Sequence, residues 1–276
     1  MVLGSFVSVF GKEKLNALFS AMQGRELGLL GIIPASLIGI ASPLCMYGTI
    51  PISASFAEKG MREDWLAAFM MSSILLNPQL MFYSAALGKA AFVIRFVSCF
   101  LCGIVAGLLV HLFSQKKKFF NFASFYKNIF KEAGNRDTDP NLFLRFLKNL
   151  LRNLKATGPA FLLGITLSAL FQSYVPEEAV AALFGRYRGF GLLMAATVGV
   201  PLYVCGGGTI PLLLTWMESG MSLGSASAFM ITGPAMKITN LGAVKIILGI
   251  KEFALYIAFS ILFALFIGFL IDFVVF

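Results

Sequence analysis

The chain has 276 residues, of which 58% are hydrophobic and 13% are charged, and its mean hydropathy is +0.86. A soluble globular domain contains about 25% charged residues, so this composition excludes an ordinary soluble domain. The formal net charge is +9, and segment 115–155 contributes most of it, because ten Lys or Arg and three Asp or Glu give 10 − 3 = +7. The hydrophobic residues form long uncharged runs, which indicates a membrane protein.

In chain order, segment 6–22 comes first; it is amphipathic and too charged to span a membrane, so we expect it to lie in the interface. Seven apolar runs follow, and each is close to or longer than the ~20 residues that a helix needs to cross the hydrocarbon core. They cover residues 27–44, 65–87, 90–113, 157–175, 189–204, 223–248 and 253–275. We therefore predict an all-α polytopic membrane protein with seven spans, in contact with the lipid bilayer.

The basic segment 115–155 lies between the third and the fourth predicted spans. Lys and Arg are enriched in cytoplasmic loops beside anionic lipid. We therefore expect a cytoplasmic loop in a multi-pass protein of the inner or plasma membrane, and no nucleic-acid partner. Four basic residues in this loop share one helical face, which predicts an interfacial helix: Arg145, Lys148, Arg152 and Lys155.

The two halves of the chain share a set of short motifs. Thr49-Ile50-Pro51 recurs as Thr209-Ile210-Pro211, at an offset of 209 − 49 = 160. The same offset relates Gly48 to Gly208, Glu58 to Glu218, Gly60-Met61 to Gly220-Met221, and 68–70 to 228–230. Motifs that recur at a fixed offset predict a duplicated unit.

The duplication predicts a first transmembrane repeat at 1–114, the basic loop at 115–155 and a second transmembrane repeat at 156–276. Span 157–175 precedes the repeated motifs of the second copy and has no counterpart in the first. We therefore expect that the leading helix of the first repeat is missing, and that a full duplicated unit has eight spans.

Each repeat contains an apolar segment that two prolines and at least one glycine interrupt, at 43–51 and 201–211. Proline removes a backbone donor and glycine tolerates non-helical angles, so both segments are predicted to be broken helices. Corresponding breaks in two repeats indicate a shared binding site near the membrane midplane, although kinks that serve only packing are the alternative. The candidate substrate-binding residues are Cys45, Tyr47, Gly48, Thr49, Pro51, Asn77, Cys205, Gly206, Gly207, Gly208, Thr209, Pro211 and Lys237.

Each motif holds one cysteine, Cys45 or Cys205, and thiolates bind soft metals and metalloids. Cysteine also packs as a small apolar residue, which is the role we prefer for Cys99 and Cys102. Lys237 lies inside an otherwise uncharged run, with Asn77 as its counterpart. A cation there is costly and is a functional candidate, although a structural lysine that reaches the interface is the alternative.

Several classes of activity lack their sequence signals. The chain has one His, and it has neither a phosphate-binding Gly-rich loop nor the spacing of zinc ligands. The sequence therefore indicates neither an enzyme nor a bound cofactor. A small-molecule substrate is expected, and a homo-oligomer is compatible with these features.

The repeated motifs resemble those of a family of predicted permeases that includes the bacterial methylarsenite efflux permease. The resemblance rests on Pro-Leu-Cys at 43–45 and Pro-Leu-x-x-Cys at 201–205, each leading to Gly-Thr-Ile-Pro, and on Gly-Pro-Ala-Met-Lys-Ile-Thr at 233–239. It covers nearly the whole chain and implies export of trivalent organoarsenicals, with arsenic contacted by Cys45 and Cys205. The family's first motif has a second cysteine, whose place Tyr47 takes here.

The leading hypothesis is a permease that exports a small solute, such as a trivalent organoarsenical or another thiophilic species. Lys237 would be a charge partner or a coupling residue. The alternative is a membrane thiol–disulfide electron carrier that uses Cys45 and Cys205. A passive channel is the third hypothesis.

Overall fold

The computed structural model describes residues 28–42, 46–76, 78–85, 88–114, 119–122, 144, 147–148, 151, 166, 170, 174, 189–197, 206–218 and 220–274. Every regular element in these ranges is a helix, so the all-α prediction is confirmed for this part of the chain. Most of the predicted span 157–175 and most of the predicted interfacial helix lie outside the described residues.

The helices before the basic loop follow a short 3-10 helix, Gly28–Gly31. They are α1 (Ile32–Ala41), α2 (Met46–Glu58), α3 (Glu63–Leu75), α4 (Pro78–Ala85) and α5 (Lys89–Ser114). After the loop come α6 (Gly189–Thr197), α7 (Gly206–Glu218), α8 (Leu223–Met236), α9 (Ile238–Leu248) and α10 (Ile250–Val274).

Helices α2 and α7 begin and end at equivalent positions, since 206 − 46 and 218 − 58 both equal 160. The turn after each helix contains a glycine in the left-handed region, Gly60 at φ 79° and Gly220 at φ 101°. Each helix also packs an aromatic ring edge-on against the helix that follows it. Phe56 meets Phe69 at 5.9 Å between ring centroids, and Trp216 meets Phe229 at 5.6 Å. The motif identities thus coincide with matching local structure.

The chain forms two compact units, and each unit draws on both halves of the sequence. The first contains 1–78, 100–158 and 242–252, and the second contains 79–99, 159–241 and 253–276. In the first unit α3 packs against α1 and α2. The approach of α1 requires Gly39, because a Cβ there would lie 2.6 Å from the Phe69 carbonyl oxygen.

In the second unit α8 packs against α6 and α7. Trp216, Phe229 and Met230 are central to its buried apolar cluster, together with Ala195, Leu213, Met221 and Ala226. Helix α10 also lies close to α8, because a Cβ at Gly268 would lie 2.9 Å from the Gly224 carbonyl oxygen.

Two described stretches are long and apolar enough to cross a membrane, Lys89–Phe113 in α5 and Val244–Val274, which includes α10. Helix α10 presents large apolar side chains that no other part of the described chain covers: Leu262, Phe266, Phe269 and Phe273. Such a face is unfavourable in water and suits the acyl chains of lipid. The count of seven spans stays a prediction.

Two of the predicted spans are each divided into two helices. Span 65–87 is interrupted after α3, where Leu76 is extended at φ −142° and ψ 128°, and Pro78 opens α4. Proline suits a first helical position because the missing N–H would have no intrahelical partner there. Span 223–248 is interrupted at Lys237, which has non-helical ψ of 129° one turn after Pro234.

Candidate functional site

The predicted site residues fall into two groups. Cys45, Asn77 and Cys205 lie outside the described residues, and with them the predicted metal or metalloid site at the two motif thiols. The remaining motif residues lie in the first two turns of α2 and α7: Tyr47, Gly48, Thr49, Pro51, Gly206, Gly207, Gly208, Thr209 and Pro211. The helices are therefore continuous through both Gly-Thr-Ile-Pro motifs, and α1 ends before the first motif, at Ala41.

Each motif proline lies inside a helix and therefore leaves one backbone carbonyl without its usual donor. Proline has no N–H, so the carbonyl four residues earlier loses its intrahelical hydrogen bond. These carbonyls belong to Tyr47 in α2 (51 − 4 = 47) and to Gly207 in α7 (211 − 4 = 207). The two motifs thus provide backbone acceptors at equivalent positions, and such acceptors are tolerated at membrane depth only where protein or a polar cavity covers them.

Buried hydroxyl groups surround the first motif. Thr49 Oγ1 and Ser73 Oγ share a hydrogen bond of 2.9 Å between α2 and α3. Ser42, just after α1, and Ser53, one turn beyond Thr49, are also buried, and neither hydroxyl has a hydrogen-bond partner among the described residues. An unsatisfied buried hydroxyl is costly, so these groups are suited to bind a polar solute or water.

The second motif is more apolar at the matching positions. Thr209 is buried like Thr49, but Leu213 stands where the first copy has Ser53, since 213 − 53 = 160. Gly233 stands where the first copy has Ser73, since 233 − 73 = 160. The positions of Ser53 and Ser73 therefore carry no hydroxyl in the second copy, and the two copies offer different chemistry at these positions.

Lys237 lies at the junction of α8 and α9 and is half-buried. Its backbone carbonyl accepts the first hydrogen bond of α9, from the Leu241 amide at 3.0 Å. The Tyr256 hydroxyl donates to the Ala235 carbonyl at 2.7 Å and thereby anchors the end of α8. A cation at a helix C-terminus complements the helix dipole, so Lys237 has a structural contribution beside its predicted functional one.

Sequence reasoning missed Arg95, which is 3% exposed in α5. Its Nη1 donates to Ser84 Oγ at 2.8 Å, and Ser84 Oγ donates in turn to the Leu80 carbonyl at 2.6 Å. The signal was present in the sequence, because Arg95 is a cation inside the predicted span 90–113. The same criterion had selected Lys237. Cys99 and Cys102, on the same helix, are both buried.

Two carboxylates at helix N-termini were also unpredicted. Asp64 is buried at the start of α3, where its Oδ2 accepts from Arg62 at 2.6 Å and lies 3.2 Å from His111 Nδ1. Asp272 reaches the start of α8, where it accepts from the Gly224 amide at 2.8 Å and the Ser222 hydroxyl at 3.0 Å. A carboxylate at a helix N-terminus is stabilising, so both groups have a structural explanation.

Known proteins similar to this chain point to one family. The family model described as "Predicted permease" matches residues 1–273. The UPF0718 protein YcgR of Bacillus subtilis is 24% identical over 245 residues, which cover 87% of this chain and 80% of that protein. The UPF0718 protein MJ0584 of Methanocaldococcus jannaschii is 23% identical over 128 residues, 45% of this chain and 35% of that protein. No solved structure matches the chain significantly.

These matches agree with the apolar helices α5 and α10 and with the motifs that carried the resemblance. The family suggested by the Gly-Thr-Ile-Pro motifs is therefore confirmed, and with it a membrane permease. The chain belongs to the family of predicted permeases.

Proposed function

We propose that this membrane permease exports a small thiophilic solute, such as a trivalent organoarsenical, and that its two Gly-Thr-Ile-Pro motifs bind the solute. The observation that carries the proposal is the equivalence of α2 and α7. Both helices begin at the residue that follows the motif cysteine, Met46 after Cys45 and Gly206 after Cys205. Both also contain a proline, which removes the intrahelical donor of one backbone carbonyl.

Different groups of the two motifs would bind different parts of the solute. A thiolate suits a soft metalloid, and the amide groups at a helix N-terminus favour an anionic ligand group such as a thiolate. The oxygen substituents of the solute would form hydrogen bonds with the two motifs. The carbonyls of Tyr47 and Gly207 would accept such bonds, and the hydroxyls of Ser42 and Ser53 would donate or accept them. Lys237 would serve as a charge partner during transport.

The test is uptake of methylarsenite into everted membrane vesicles under a proton gradient, which reports export in the cell. We expect the wild type to accumulate methylarsenite and the double variant Cys45→Ser/Cys205→Ser to lose most of that uptake. The matched control is Cys102→Ser, which replaces a buried thiol of α5 by the same residue. This control should retain wild-type uptake.

Two results would count against the proposal. Uptake unaffected by the double substitution would assign both cysteines to packing and leave the solute site elsewhere. A folded wild type without any uptake, in which Cys45 and Cys205 form a disulfide that a thioredoxin-like partner reduces, would instead support the thiol–disulfide electron carrier.

A further inference from the structure

The guanidinium of Arg95 is a charge buried within a membrane-crossing helix. Arg95 lies six residues after Lys89 (95 − 89 = 6), which is roughly 9 Å along α5 at 1.5 Å per residue. Lys89, at the start of the helix, is exposed, whereas Arg95 is 3% exposed. The side chain of Arg95 therefore does not extend along the helix surface to reach water, as arginines near membrane interfaces do.

The described partners of Arg95 do not neutralise its charge. Ser84 accepts one hydrogen bond from Nη1, and a serine hydroxyl is neutral. Arg95 Nε is buried without a hydrogen-bond partner among the described residues. Arg95 takes part in neither of the ion pairs seen between described residues, so no described carboxylate lies within 4.0 Å of its guanidinium. A buried cation without an anion is strongly unfavourable.

A thiol extends this cluster by one turn of α5. Cys99 follows Arg95 by four residues, so the two side chains share a helical face. Cys99 is fully buried. A thiol is only a weak acceptor, so it does not replace an anion.

The position that corresponds to Arg95 in the second half of the chain holds an uncharged residue. Gly88 and Gly249 both have positive φ and immediately precede α5 and α10, at an offset of 249 − 88 = 161. At this offset Arg95 corresponds to Tyr256, whose hydroxyl donates to the Ala235 carbonyl. At the equivalent position of the second half, a neutral side chain therefore forms a hydrogen bond with the backbone. The repeated architecture does not require a cation at this position.

We propose that Arg95, supported by Ser84 and Cys99, forms a buried binding site for a planar monoanionic oxyanion, such as the carboxylate of a transported solute. Its role in transport rests on the permease function proposed above, whereas anion binding itself does not. A guanidinium binds a carboxylate through two parallel N–H···O bonds, and Nε is one of the donors available for this fork. One positive charge among neutral partners favours a monoanion. A carrier exposes its site to each side in turn, so burial in one conformation is expected.

The test measures thermal unfolding of the full-length protein, purified in a neutral detergent. Acetate, bicarbonate and nitrate are each titrated against chloride at equal ionic strength. An anion that binds the folded state raises Tm with its concentration. We expect such a rise for the wild type and for Lys89→Gln, which removes a charge from an exposed position of the same helix. We expect no oxyanion-specific rise for Arg95→Gln.

Two further variants keep the test decisive if Arg95→Gln does not fold. Arg95→Lys keeps the charge and loses the planar fork, so the response should weaken without vanishing. Ser84→Ala removes the group that orients Nη1, and we expect the apparent affinity to fall by about tenfold, the change typical of a lost hydrogen bond to a charged group.

Several results would overturn the site. These are a wild-type response no larger than that to chloride, or an Arg95→Gln variant that responds like the wild type. A response that added phosphatidylglycerol abolishes would assign Arg95 to a lipid headgroup instead of a solute. A wild-type protein that takes up no methylarsenite but still binds oxyanions would reject the proposed function and leave this site supported.

Discussion

At the scale of single residues, the first motif is stabilised by hydroxyl groups in an apolar interior. Thr49 and Ser73 satisfy each other across α2 and α3, and Ser36 and Ser72 do the same across α1 and α3 at 2.7 Å. Each pair joins two helices with a directional contact that an apolar pair would lack. In a low-dielectric interior, the loss of one partner is costlier than the loss of both.

The substitution Thr49→Val should therefore destabilise the protein. It preserves the shape of the side chain but leaves the buried Ser73 hydroxyl without this partner, at an expected cost of about 1–3 kcal/mol in the free energy of unfolding. Denaturant unfolding in detergent micelles measures the difference. Thr49→Ser keeps the hydroxyl and is the control. Equal stability of Thr49→Val and the wild type would mean that the hydroxyl pair contributes nothing.

At the scale of helices, close contacts depend on where a side chain is absent. Gly268 lies where α10 approaches α8, and a Cβ there would also meet the side chain of Leu192. Gly242, inside α9, has no heavy atom within 4 Å of such a Cβ. A Cβ added to the helix is therefore crowded at Gly268 and free of close contacts at Gly242.

The pair Gly268→Ala and Gly242→Ala should consequently change stability in opposite directions. We expect Gly268→Ala to lose about 1–3 kcal/mol through overpacking against α8. Gly242→Ala should gain up to about 1 kcal/mol, since alanine favours a helix interior over glycine. Thermal unfolding of both variants in one detergent provides the comparison. A stable Gly268→Ala would show that α10 can move away from α8 at little cost.

At the scale of the whole molecule, charge distribution sets the expected orientation. The basic loop 115–155 is proposed to face the cytoplasm, because Lys and Arg near membrane spans are retained on that side. The described part of this loop includes Lys148, which is exposed. This orientation determines the direction in which each span runs.

The variant Lys148→Cys tests the orientation directly. A membrane-impermeant maleimide should label it in everted vesicles and leave it unlabelled in right-side-out vesicles. The parent protein, whose four cysteines lie in or beside apolar segments, is the background control. Labelling confined to right-side-out vesicles would place the loop outside the cytoplasm and reverse the direction in which each span runs.

The sequence predicted part of the candidate site for identifiable reasons. The repeated Gly-Thr-Ile-Pro segments were visible because each is a local string, and their helices α2 and α7 are equivalent in the structure. An interruption does lie at the start of the first segment, because α1 ends at Ala41, Ser42 is extended and α2 begins at Met46. Pro51 and Pro211, however, are accommodated inside helices, and further interruptions fall at Leu76 and Lys237. Whether a proline ends a helix depends on which neighbouring groups satisfy the carbonyl it leaves unpaired.

The sequence by itself determined the membrane class, the helical architecture and the family, because these follow from properties that are local or add along the chain: apolar length, scarcity of charge and recurring motifs. Only the tertiary structure decided which charged side chains are buried and which groups they contact. Lys237 and Arg95 are equivalent by sequence, as cations inside predicted spans. Contacts between helices make one a half-buried helix end and the other a buried guanidinium beside Ser84, because burial and pairing depend on residues that are distant along the chain.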